Sequence, residues 1–133
     1  MNWKIFLCTL VAVPVLDFIF LGYIAKPFYA AHMAPVGRMV DGQIKPVYWA
    51  AVAVYLVIAF GMTYFAGARI EQAETWWQAA MVGAALGFVI YGTYDFTNHA
   101  TLKSWPVPLL IADITWGAVV CGASAAISRV ALN

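Results

Sequence analysis

Charge is scarce in this chain. Among 133 residues there are seven Lys or Arg and six Asp or Glu, for a net charge of +1. So little charge is not enough to solvate the surface of a soluble domain. One net positive charge gives no footing for binding nucleic acid. Cysteine is nearly absent too. Cys8 and Cys121 both lie inside apolar segments and read as small buried hydrophobes, not as a disulfide or redox pair. No Gly-rich phosphate loop, CxxC pair, HExxH or EF-hand pattern occurs. The sequence therefore names no cofactor and assigns no metal site.

What fills the chain is hydrocarbon: 65% of it is apolar. About 20 apolar residues suffice to cross a bilayer, and four such runs stand apart, at about 5–25, 47–65, 76–97 and 107–128. The prediction is a single all-α domain over 1–133, a four-helix transmembrane bundle, because helices satisfy every backbone group in lipid. The first run is too long for a signal core and carries Asp17, so it reads as an uncleaved span. Pro14 within it removes one backbone donor and predicts a mild kink. The second run carries no acid or base, and its Trp49 and Tyr64 suit the two interfacial belts. The stretch from Gly67 to Thr75 reads as a short polar turn. Gly83 and Gly87 in the third run have the spacing that lets helix backbones approach, within the bundle or at a dimer seam.

Against this background three carboxylates stand out. Successive spans alternate in direction, and the connections after the first and third spans share one face, here called face B. Asp17, Asp95 and Asp113 all fall in the half of the membrane nearer face B. A charged carboxylate near the bilayer centre costs about 2.5–3.5 kcal/mol, so such groups turn inward, pair, bind a cation or take up a proton. The run from Tyr91 to Pro106 gathers further polar groups where polarity is expensive. Tyr91, Asp95 and His99 fall on one helical stripe, with Asn98 beside it. The candidate catalytic residues are Asp95 and Asp113, with Asp17 tuning them. Tyr91, Tyr94, Asn98, Thr101 and Trp116 are candidate substrate contacts or members of a polar network. The bland alternative is a purely structural network, with Asp113 accepting from the Trp116 indole. Lys103 and Trp105 read as interfacial anchors and His32 as a solvated side chain. A hard divalent ion on Asp and Asn oxygens would have only His99 as a nitrogen ligand, which argues against it.

The motif itself is specific. Tyr91-Gly-Thr-Tyr-Asp-Phe-Thr-Asn98, then Ala-Thr-Leu-Lys-x-Trp-Pro106, then Asp113-x-x-Trp-Gly117 resembles a bacterial family of small four-span membrane proteins, domain of unknown function 2177. Asp17, Leu21-Gly22 and Phe28-Tyr29 extend the resemblance over nearly the whole chain. His99 and Phe20 depart from it, standing where the family pattern has an apolar residue and a Trp. That argues against His99 as an essential ligand. The resemblance implies a multi-pass protein of the bacterial inner membrane. It also implies gene neighbourhoods shared with fatty-acid-modifying methyltransferases of the cyclopropane-synthase type, and with them a lipid-related role.

Three functions fit these features. One is a membrane-embedded enzyme or accessory protein for a lipid-like substrate, its partner a membrane lipid. Another is a structural subunit stabilising a different membrane protein. The last is a proton-coupled small-molecule transporter working as a homodimer. Sequence leaves open whether the chain is an enzyme. Lys and Arg divide almost evenly between the faces: Lys26, Arg38, Lys45 and Lys103 on face B, Lys4, Arg69 and Arg129 opposite. The balance leans towards a cytoplasmic face B.

Overall fold

A computed structural model describes residues 1–133. Four helices are long and apolar enough to cross a membrane: Trp3–Ile24, Tyr48–Gln72, Trp76–Thr101 and Val107–Ala131. The first consists of α1 (Trp3–Ile19) and a π-helical turn (Phe20–Ile24). The second joins α3 (Tyr48–Gly61), a π-helical turn (Met62–Ala66) and α4 (Gly67–Gln72). The third and fourth are α5 (Trp76–Thr101) and α6 (Val107–Ala131).

Local chemistry sets the ends. Asn2 caps α1, its side chain accepting from the Lys4 amide at 2.9 Å. Helix α1 runs unbroken through Pro14. Thr75 and Gln78 cap α5 reciprocally, which satisfies amides that the first turn leaves without partners. The polar turn expected from Gly67 is instead helical to Gln72, because Gly67 and Ile70 are buried against the core. The true connection is Ala73 to Thr75, and the Arg129 guanidinium on α6 donates to the Ala73 carbonyl across it.

The long first connection is more structured than its Pro and Gly content suggests. It holds α2 (Lys26–Met33), with Pro27 in its first turn, and a hairpin of β1 (Met39–Val40) and β2 (Gln43–Ile44). Asp41 and Gly42 both have positive φ, 51° and 73°, which fits the two-residue Asp-Gly turn favoured in hairpins.

Inward-facing positions follow the helical period. On α1 they are Ile5, Thr9, Val13 and Asp17, four apart, so Asp17 lies on the core stripe. On α5 they include Ala79, Gly83, Gly87 and Asp95. Leu7, Val11, Val15 and Phe18 point outward and are exposed, as lipid-facing residues are. The main core joins Ile5, Val13, Ile58, Met62, Ile70 and Val120. A smaller apolar cluster near face B joins Tyr29, Trp105, Leu109, Leu110 and Ile114.

Hydrocarbon offers helices no hydrophobic drive to associate, so close van der Waals packing has to serve. Helices α5 and α6 meet that need through small residues. A Cβ at Gly83 would collide with the Cys121 carbonyl and Ala125, and one at Gly87 with the Gly117 carbonyl and Cys121. The small-residue spacing is therefore an internal α5–α6 contact. Replacing Gly87 with Leu should destabilise the protein by about 1–3 kcal/mol or more through overpacking. A thermal melt in detergent checks this, and an unchanged midpoint would refute the contact.

Candidate functional site

Tyr and Trp donors meet each of the three carboxyls. Asp17 is 6% exposed. Its two oxygens accept from the Trp116 indole at 2.7 Å and the Tyr55 hydroxyl at 3.0 Å. One carboxyl thus ties α1 to α3 and α6, and it is fully provided for. The expected bond from Trp116 to Asp113 is not made, because that indole belongs to Asp17.

Asp113 accepts instead from the Tyr29 hydroxyl at 2.9 Å. Tyr29 sits on α2 and is buried, although it lies in the connection between the first two spans. Burial first, then the Asp113 charge, holds the Tyr29 phenol well above its ordinary value. It therefore stays neutral and keeps its donor. Asp17 and Asp95 add to that effect, so all three acids lie near this phenol. Phe20 fills the space between the two stations. It stacks on Trp116, with centroids 3.9 Å apart, and meets Tyr29 edge-on at 6.3 Å.

Asp95 is the most enclosed of the three, at 0% exposure. One oxygen accepts from the Trp105 indole at 2.9 Å. The other is buried and has no hydrogen-bond partner. The Asp113 carboxyl is its neighbour. Two ionised carboxylates only accept, so neither can serve as a donor to the other.

Trp105 is not an interfacial anchor. It is 7% exposed and folds back over Asp95. His99 helps hold it, since its Nδ1 lies 2.8 Å from the Trp105 carbonyl. A carbonyl can only accept, so Nδ1 carries the hydrogen. Tyr94 packs edge-on against the same indole at 5.7 Å and is otherwise half exposed.

The other candidates are placed differently. Tyr91 makes no hydrogen bond to a carboxyl; its ring rests on Gly117, where a Cβ would strike it. Asn98 makes no side-chain hydrogen bond to any of the three carboxyls. Thr101 is exposed and bonds back to the Thr97 carbonyl at 2.8 Å. Lys103 is exposed in the α5–α6 connection. No group of three or more His, Cys, Asp or Glu side chains is arranged to hold a metal ion.

A family model described as a predicted membrane protein, domain of unknown function 2177, matches residues 2–130. The chain belongs to this family. That membership and the four apolar helices make it a multi-pass membrane protein. No curated protein and no solved structure matches it.

Three donors were not among the residues singled out as site candidates: Tyr55, Tyr29 and Trp105. Trp105 had a bland interfacial explanation, and the only signal at Tyr55 and Tyr29 was a hydroxyl donor on a large apolar ring. Trp105→Phe keeps most of the ring bulk and removes the one donor that Asp95 has. It should cost about 1–3 kcal/mol, the penalty of an unsatisfied buried acceptor. Faster hydrogen exchange in residues 102–106 and a lower melting midpoint are the expected readouts. Wild-type values for both would contradict the assignment.

Proposed function

We propose that this chain acts on a lipid-like molecule at the face B side of the membrane, with Asp95 and Asp113 exchanging a proton with it. The observation that supports this is the second oxygen of Asp95, buried without a donor beside another carboxyl. An unsatisfied buried acceptor costs about 1–3 kcal/mol. A fold that only needed polar satisfaction could place a donor there, as it does for both oxygens of Asp17. The pair is instead suited to moving a proton between two adjacent carboxyls. In this reading Asp17 is a positioning residue, Trp105 shields the pair from water, and the substrate arrives laterally from the bilayer. The chain would sit in a bacterial inner membrane, with membrane lipid as its partner.

A second reading has support of its own. Each carboxyl joins separate elements through an aromatic donor, which is what a purely structural clamp would do. The two separate by substitution. Asp95→Asn and Asp113→Asn keep shape and hydrogen-bonding capacity while removing acid–base chemistry. Each should fold, insert and change the lipid composition of the producing cells as completely as deleting the gene does. Asp17→Asn should retain most of the activity. Lipid profiles by mass spectrometry, alongside detergent melts, decide it. Folded Asp95→Asn and Asp113→Asn variants with wild-type lipid profiles would leave only the structural clamp.

A further inference from the structure

The hairpin on face B brings two cations together with no acid to separate them. Its Asp-Gly turn fixes the register, pairing Met39 with Ile44 and Val40 with Gln43. The next pair outward is Arg38 and Lys45, and the Lys45 amide donates to the Arg38 carbonyl at 2.8 Å. Side chains directly opposite on paired strands start about 5 Å apart at Cβ, and like charges placed there destabilise the pairing. Between residues 26 and 46 the only acid is Asp41, which lies at the far end of the hairpin in the turn. The α5–α6 connection on the same face contributes Lys103 and no acid. Lys26, at the start of α2, adds another exposed cation. The opposite face differs, because Glu71 and Glu74 accompany Arg69 there.

The hairpin packs on α2, and α2 is fixed to the bundle through Tyr29 and Asp113. The cation pair is therefore held against the bundle on face B by way of α2. A phosphate between Arg38 and Lys45 would convert their repulsion into two charge-assisted hydrogen bonds. The guanidinium fork is suited to phosphate oxygens.

We infer that Arg38 and Lys45 form a binding site for the phosphate of an anionic phospholipid headgroup, with Lys26 and Lys103 adding positive charge on the same face. The site is independent of the proton-exchange reading, since it uses none of Asp17, Asp95 and Asp113. Native mass spectrometry of the full chain, released from detergent with added phosphatidylglycerol or phosphatidylcholine, tests it. The wild-type protein should retain phosphatidylglycerol at least tenfold more strongly than phosphatidylcholine. The exposed double substitution R38Q/K45Q should reduce that preference to within about twofold while leaving the melting midpoint without added lipid unchanged or raised. Added salt should weaken retention, as expected for exposed charges. Equal retention of the two lipids by the wild type would overturn the inference, and so would full preference in the double variant. A third arm uses inorganic phosphate alone. If millimolar phosphate displaces the anionic lipid completely, the site takes a free anion and the lipid assignment is wrong.

Discussion

A carboxyl group at membrane depth must find a donor, and this fold is arranged to supply one. Water is not available there, and neighbouring lipid tails offer nothing. Indole N–H and phenol O–H groups answer the need, because each brings a single polar atom on a large apolar body. Asp17 gathers Tyr55 and Trp116, Asp113 gathers Tyr29, and Asp95 gathers Trp105. Through these four bonds every transmembrane segment, and both connections on face B, are tied to one polar region. The π-helical turn at Phe20–Ile24 and the buried seat of Tyr29 belong to the same arrangement, with Phe20 wedged between Tyr29 and Trp116.

The two ends of the bundle are held by different physics. Towards the face opposite face B, α5 and α6 approach backbone to backbone over Gly83, Gly87 and Gly122. Ser124 and Thr9 add a single hydroxyl contact of 3.1 Å between α1 and α6. Towards face B the helices are spaced by aromatic rings, and hydrogen bonds to carboxyls take over. A lipid-exposed bundle gains from this division. Tight packing gives rigidity at one end, and polar groups are gathered at the other.

Much of this was legible in the residues. The four spans follow from run length alone, and the all-α architecture follows from the need to satisfy the backbone in lipid. The clustering of Asp17, Asp95 and Asp113 on one side follows from alternating span direction. The inward stripe of Asp17 could be read from its four-residue spacing to Val13, Thr9 and Ile5. The donors were harder to read. Trp105 and Tyr29 lie in connections, where an aromatic ring is equally at home in the headgroup region, so local pattern cannot choose between anchoring and folding back. Tyr55 sits in the run 47–65, which has no acid or base, and its role depends on how α3 rotates against α1. The partner of Trp116 depended on helix rotation for the same reason. Gly67–Gln72 was misread because its polar residues masked the buried Ile70.

The bonds to Asp17 also set a schedule for the chain's assembly. Tyr55 follows Asp17 by 38 residues, and Trp116 follows it by 99. At roughly 5–20 residues per second of synthesis, the indole is made about 5–20 s after the carboxyl. The first span therefore cannot reach its final seat in the bilayer while the last is still on the ribosome. Its carboxyl must wait at the protein-conducting channel, near the headgroups or in its protonated form. Completion of the fourth span then acts as the latch that commits the first.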